Sequence, residues 1–75
     1  MNIYNKYSDK DIIDWRTYER VRLTGKFNMY DPRAIDMTGL TRERYIFIME
    51  HYDHIRIQSH IEKMKNIESL SKQNG

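Results

Sequence analysis

The chain has 75 residues, too few to bury two separate cores, and we therefore expect a single domain. It contains no cysteine, which excludes a disulfide framework and a thiolate metal site, while its 39% of apolar residues is enough for a packed core. Thirteen basic residues nearly balance 11 acidic ones, and the formal net charge of +2 excludes a strong overall attraction to nucleic acid. Any such binding would depend on local clusters of cations.

We expect neither a signal peptide nor a membrane span. The N-terminal residues lack the apolar stretch of a signal peptide, and no segment approaches the ~18 apolar residues of a membrane span. We therefore expect a cytoplasmic protein without a membrane partner. The predicted organisation is an N-terminal arm over residues 1–7, a single helical domain over 8–70 and a flexible tail over 71–75.

The N-terminal arm is polar, and it is predicted to be either loose or docked by Ile3, Tyr4 and Tyr7. The first helix begins after it. Ser8 and Asp11 have the spacing of a capping box, in which each residue's side chain accepts a hydrogen bond from the other's backbone.

The first helix is predicted to run to about Thr24 and to stop at Gly25. Its apolar residues do not form one clean stripe. Ile12, Trp15 and Leu23 line one face, but Tyr18 and Val21 lie well round the cylinder. This pattern predicts a helix that is contacted from more than one side.

The second helix is predicted to be short. Asp31 is suited to cap a helix that has Pro32 in its first position, where the missing N–H leaves no bond unmade. A helix over 32–38 would end at Gly39, which tolerates a left-handed backbone. Thr41 would then cap the next helix, so that two helices meet across a tight turn.

The C-terminal half has the strongest helical pattern. A first apolar stripe is formed by Tyr45, Ile48, Met49, Tyr52 and Ile55. A second stripe of Ile57, Ile61 and Met64 is displaced from it by roughly 120°. The displacement leaves two alternatives: a bend near residues 55–57 that separates two helices, or one long helix with different partners along its length.

The segment 32–46 has a small apolar residue, a turn glycine and a capping threonine in Ala34, Gly39 and Thr41. It resembles the helix-turn-helix of excisionase-like DNA-binding regulators. The resemblance covers about fifteen residues. The alternative interpretation is that the same turn is only an efficient way to join two helices.

The resemblance implies that the helix opening at Thr41 would be the reading helix, with Thr41, Arg42 and Arg44 facing the major groove of DNA. Arginine suits this place because its planar fork can bond guanine bidentately. Lys26 and Arg33 are the candidates for phosphate contacts.

A second resemblance spans residues 15–52 and is to short, uncharacterised proteins of bacteriophages and prophages. It is carried by Trp15, Tyr18, Arg22, Gly25, Asn28-Met29, Gly39-Leu40, Tyr45, Ile48-Met49 and Tyr52. It implies a bacterial host and an accessory role, either in gene regulation or in interference with a host system.

No arrangement for catalysis or metal binding is evident. His51 and His54 are three residues apart, but a metal site would need further ligands from another helix, and we expect solvated histidines instead. The sequence has no Gly-rich phosphate loop and no nucleophile motif. We therefore expect no enzyme activity, no cofactor, no metal and no small-molecule substrate.

The aromatic content favours a second class of function. Exposed tyrosine with arginine is typical of protein-interface anchors. The candidate interface residues are Tyr30, Phe47, His51, Ile57 and Ile61. They predict an inhibitor that binds a host defence or nucleic-acid-processing protein, as anti-CRISPR proteins do, or a homodimer.

The expected fold is all-α, a small orthogonal bundle of three to four helices with a helix-turn-helix-like pair. The expected partner is DNA or a host bacterial protein.

Overall fold

The computed structural model describes the backbone of residues 6–74 and the surroundings of the side chains of residues 6–64. Four helices follow one another in this part of the chain, without a strand. They are α1 (Asp9–Thr24), α2 (Pro32–Thr38), α3 (Arg42–Glu50) and α4 (Tyr52–Asn74). The predicted all-α class is thereby confirmed. None of the helices in the described segment combines the length and apolar content that crossing a membrane requires.

The capping residues of α1 lie where the sequence predicts them. Ser8 and Asp11 form the reciprocal capping box, with the Asp11 N–H donating to Ser8 Oγ at 3.2 Å and the Ser8 N–H donating to Asp11 Oδ2 at 3.1 Å. The helix ends at Gly25, whose φ of 68° is in the left-handed region.

The turn between α2 and α3 also follows local rules. Asp31 caps α2 by accepting a hydrogen bond from the Arg33 N–H, and Pro32 opens the helix. Gly39 ends it with a φ of 71°, a conformation that glycine adopts without steric strain. Thr41 then caps α3.

The break in the C-terminal half lies at His51, which is earlier than the predicted bend at residues 55–57. His51 has φ −106° and ψ 14° and separates α3 from α4. Its N–H still donates to the Phe47 carbonyl and its own carbonyl accepts from the Ile55 N–H, both at 3.0 Å. The hydrogen-bond ladder therefore continues through the break at His51. α4 extends to Asn74 and so includes residues 71–74 of the predicted tail.

The core is centred on α1, which packs against α2, α3 and α4. Tyr45, Ile48 and Ile55 are the largest fully buried side chains. Tyr18 lies with its ring centroid 5.1 Å from that of Tyr45, whose hydroxyl donates to the Met29 carbonyl at 2.6 Å. Burial raises the pKa of Tyr45 to about 12, so this phenol stays protonated. It therefore keeps its hydrogen bond to Met29, which lies in the connector between α1 and α2, residues 25–31.

The prediction of which residues of α1 face the core is only partly correct. Leu23 is 70% exposed, whereas Tyr18 and Val21 are buried. Because three helices approach α1 from different sides, its buried residues lie around the cylinder, as the irregular pattern of α1 predicted.

The end of the N-terminal arm is docked through Tyr7. Its N–H donates to Gln58 Oε1 at 3.0 Å, and Gln58 Nε2 donates to its carbonyl at 2.9 Å. Its phenol lies 3.0 Å from His51 Nδ1. Ile3 and Tyr4, the other predicted anchors, lie outside the described residues.

Candidate nucleic-acid interface

Of the three residues predicted to contact bases, two, Thr41 and Arg42, are exposed at the start of α3. The Thr41 hydroxyl accepts a hydrogen bond from the Arg44 N–H at 3.2 Å, which fixes the first turn of α3. Thr41 therefore has a structural role in addition to any contact with a ligand.

Arg44, the third predicted base contact, is turned inward. Its Nη2 donates to Asp11 Oδ1 at 2.7 Å and its Nε donates to Asp14 Oδ2 at 3.0 Å, both on α1. The guanidinium also lies 5.1 Å from the centroid of the Phe47 ring. Arg44 is thus committed to joining α3 to α1, and base contact would require this network to open.

The Arg44 network stabilises the ionised form of Asp11. Burial works against the charge, but hydrogen bonds from Arg44 and Ser8 outweigh it and lower the pKa of the Asp11 carboxyl below its ordinary value. Two carboxylates around one arginine fork form a compact ion cluster of the kind that fixes one helix against another.

The exposed face of α3 is not basic. The side chains that it presents to solvent are Arg42, Glu43, Ile46 and Glu50. Two carboxylates therefore accompany one cation on the face that would approach DNA, and carboxylates repel phosphates. This face is poorly suited to contact a nucleic-acid backbone.

The two predicted phosphate contacts lie near the other end of α1. Lys26 is exposed in the connector that follows Gly25. Arg33 is exposed, but its Nη2 donates to Asp31 Oδ2 at 2.7 Å. Its guanidinium lies 4.6 Å from the centroid of the Phe27 ring. From Asp11 to Gly25 the helix rises by about 21 Å, at about 1.5 Å per residue. Lys26 is thus far along α1 from Arg44, and the predicted set does not form one cluster.

A basic groove that the sequence did not identify lies between α1 and α4. It has a volume of about 580 Å³. Its lining residues are Trp15, Arg16, Arg56, Ser59, His60, Glu62 and Lys63. Among these described residues three cationic side chains accompany one carboxylate, a formal net charge of +2.

The groove is produced by the antiparallel packing of α1 and α4. Tyr52, at the start of α4, donates a hydrogen bond to Glu19 in the later part of α1, whereas Gln58 bonds to Tyr7, which precedes α1. Residues in the middle of α1 therefore lie beside residues 56–63. On α4 the basic residues recur at positions i, i+4 and i+7, so that they share one face.

The arginines and the lysine of the groove differ in their pairing from Lys10, Arg22, Arg33 and Arg44, each of which pairs with a carboxylate. Arg16, Arg56 and Lys63 form no ion pair with any side chain of residues 6–64. Arg56 is close enough to Glu19 to contribute to the lowered pKa of that carboxyl, although hydrogen bonding to Arg22 is the main cause. These cations are available to an anionic ligand.

Trp15 gives one wall of the groove an apolar surface. Its ring lies 5.6 Å from that of Tyr52, centroid to centroid. Its Nε1 is buried and has no hydrogen-bond partner among the described residues. The side chain is half-buried, so the part of Trp15 that reaches the groove consists of ring carbon.

The residues of the alternative protein interface are also dispersed. Tyr30 is 84% exposed in the connector. Phe47 and His51 are half-buried and stack on each other, with ring centroids 4.5 Å apart. Ile57 is exposed and Ile61 half-buried, one turn apart on α4. Of these five predicted interface residues, only Tyr30 and Ile57 are large apolar side chains exposed to solvent.

Within residues 6–64, no group of three or more histidine or acidic side chains is arranged to hold a metal ion. His54 and His60 are exposed, whereas His51 packs between Tyr7 and Phe47.

A signal for the groove is present in the sequence, since Arg56, His60 and Lys63 have helical spacing. The pairing with Arg16 depends on the packing of α1 against α4, which no local pattern contains. Comparison of the chain with protein-family models, with curated proteins and with solved structures finds no match.

Proposed function

We propose that the protein is a small, non-catalytic accessory protein that binds nucleic acid, DNA in the first place, through the groove between α1 and α4. The phage setting implied by the sequence resemblance belongs to the same proposal. The observation that carries it is the concentration of Arg16, Arg56 and Lys63, unpaired among the described side chains, around one concave surface. Phosphates are the ligands that such a cluster attracts most strongly in a cell.

The proposal changes the role of the helix-turn-helix-like pair. With Arg44 bonded to Asp11 and Asp14, only Thr41 and Arg42 of the three predicted base contacts are exposed at the start of α3. We therefore assign α2 and α3 mainly to the support of α1, and the phosphate contacts to the opposite junction of α1. Recognition through phosphates predicts weak dependence on DNA sequence.

Binding is best tested by fluorescence anisotropy with labelled DNA at several salt concentrations. Three phosphate contacts predict that log K falls against log salt with a slope of about −2 to −3. Replacing Arg16, Arg56 and Lys63 together by alanine should remove the binding and its salt dependence.

The matched control removes the same charge elsewhere by replacing Lys26, Arg33 and Arg42 with alanine. All three control side chains are exposed and lie outside the groove. Loss of binding in the control but not in the groove variant would return the site to the start of α3. The absence of binding to any DNA at low salt would refute the proposed function.

A second candidate function, inhibition of a host protein by direct contact, is favoured by the display of Tyr30. Its N–H donates to Asn28 Oδ1 at 2.9 Å and the Asp31 N–H donates to the Asn28 carbonyl at 2.8 Å, so the loop is held by its own hydrogen bonds. Arg33, three residues later in the sequence, packs on Phe27. An exposed tyrosine with an arginine close to it in the sequence has the composition of an interface hot spot.

This second function predicts a stoichiometric protein partner that the tagged chain retains from nuclease-treated host lysate and that Tyr30→Ala fails to retain. Ile13→Ala is the matched control, since Ile13 is an exposed apolar residue on α1. Retention that is equal for the wild-type chain and Tyr30→Ala would exclude the loop as the anchor.

A further inference from the structure

The basic groove combines two kinds of surface that a nucleic-acid strand would use differently. Arg16, Arg56 and Lys63 offer positive charge, and Trp15 offers ring carbon with no exposed polar atom in its side chain. A site for phosphate alone would not need the aromatic surface. Cations that follow a backbone, with an aromatic ring on which a base stacks, are the combination found in single-strand binding sites.

The shape of the groove favours the same ligand. A duplex keeps its bases stacked inside and presents phosphates on a convex surface, whereas a single strand can turn a base out onto a protein ring. The site is a concave groove of about 580 Å³ between two helices. Trp15 and Arg16 are neighbours in α1, and Arg56 and Lys63 lie across from them on α4, so a base on the ring would have phosphates near cations on both helices.

We propose that the groove binds a single strand of nucleic acid, with phosphates on Arg16, Arg56 and Lys63 and a base against the ring of Trp15. This inference rests on the proposed function and specifies its ligand. The polarity of the remaining lining, Ser59, His60 and Glu62, suits the edges of a base that has left a duplex.

Trp15 is the only tryptophan of the chain, and its fluorescence therefore reports directly on the groove. The experiment titrates the unmodified protein with a single DNA strand, with the duplex of the same sequence, with an RNA strand of that sequence and with an abasic strand of the same length. The abasic strand keeps the phosphates and lacks the bases, so it separates the two surfaces without altering the protein.

We expect the single strand to quench Trp15 fluorescence and the abasic strand to leave it nearly unchanged. Loss of the base contact should weaken the affinity for the abasic strand by roughly fivefold to a hundredfold. The DNA and RNA strands should behave alike, because stacking and phosphate contacts do not depend on the 2′-hydroxyl.

Three results would overturn the inference. A duplex that binds as tightly as the single strand would leave the proposed function intact and remove the preference for single strands. An abasic strand that binds as tightly as the normal one would remove the base contact. Polyglutamate that displaces the strand at equal charge concentration would show a site for acidic peptides instead.

If none of the nucleic acids binds, the proposed function itself fails, and the two failures are thus distinguishable. A variant adds an independent measurement. Trp15→Leu should bind the normal and abasic strands equally, as followed by anisotropy of the labelled strand, whereas Tyr30→Leu should keep the difference. Should Trp15→Leu fail to fold, the abasic comparison on the unmodified protein still decides.

Discussion

The two junctions that α1 makes with α3 and with α4 both contain arginine, but they place it in opposite electrostatic settings. At the junction with α3, Arg44 lies between Asp11 and Asp14, within hydrogen-bond distance of both. At the junction with α4, Arg16 and Arg56 border a groove and have no carboxylate partner among residues 6–64. At the first junction the arginine is neutralised by carboxylates of the protein, and at the second the arginines are exposed to solvent.

The difference originates in the arrangement of charges around α1. Asp14 and Arg16 are two positions apart, which is about 200° around a helix. Asp11 and Asp14 therefore lie on the side of α1 that meets α3, and Arg16 lies on the side that borders the groove with α4. The availability of an arginine is decided by the charges on the neighbouring helix more than by its position within a motif.

The largest expected effect is on binding. Replacing both Arg56 and Lys63 by glutamate should lower the affinity for a DNA strand more than a hundredfold, since attraction at two phosphates becomes repulsion. The same double reversal at Lys26 and Arg42, which do not line the groove, should change it by less than about threefold, because salt screens charges that do not contact the strand. Anisotropy titrations measure both, and equal losses would show that only total charge matters.

The next effect concerns stability. Arg44→Ala leaves Asp11 and Asp14 without their shared cation, and it should lower the free energy of unfolding by about 2 kcal/mol. Arg16→Ala, which breaks no ion pair among the described residues, should change it by less than about 0.5 kcal/mol. Urea unfolding followed by circular dichroism distinguishes the two. Similar values would mean that the Arg44 network contributes little.

The pH dependence of stability should also differ between the Arg44 and Arg16 variants. The pKa of Asp11 is lowered in the folded protein. The contribution of this carboxylate to the free energy of unfolding is therefore fully present above the unfolded pKa of about 3.9, and it is lost as pH falls through the folded pKa. Thermal unfolding should therefore become easier below about pH 4. Arg44→Ala should show a weaker acid dependence than Arg16→Ala. Parallel pH profiles for the two variants would contradict the assignment.

A smaller contrast is expected for lysine substitutions. Lysine lacks the planar fork that reaches two carboxylates, so Arg44→Lys should destabilise the fold by about 1 kcal/mol. Arg56→Lys should keep DNA affinity within about threefold, because lysine also binds phosphate as a point charge. Unfolding and binding measurements on both variants provide the comparison. A strong loss of affinity in Arg56→Lys would indicate a bidentate contact in the groove.

The smallest effect is a gain. Glu62 is the only acidic residue among those of residues 6–64 that line the groove, and Glu62→Gln should raise the affinity for a DNA strand by about threefold. Glu50→Gln on the exposed face of α3 is the control and should have no effect. A gain in both variants would point to overall charge as its source.

Local chemistry made most of the fold predictable. The caps at Ser8, Asp31 and Thr41 and the left-handed Gly25 and Gly39 depend on neighbours within a few residues, and the structure has all of them. The bounds of α1 and α2 and the start of α3 followed from them.

What the sequence could not predict depends on distant contacts. Arg44 was predicted to face a ligand, but its carboxylate partners lie about 30 residues earlier on another helix. Leu23 was grouped with the apolar face of α1, although no helix covers that position. The groove requires Arg16 to meet Arg56 across a helix pair, and its residues were therefore not identified.

The double hydrogen bond between Tyr7 and Gln58 links positions 51 residues apart in the sequence. It ties the segment before α1 to the part of α4 that carries the groove. The Tyr7 amide can exchange its hydrogen with solvent when this double hydrogen bond opens. Hydrogen exchange at this single amide would therefore report how often the N-terminal arm and α4 separate, and whether a bound strand changes that frequency.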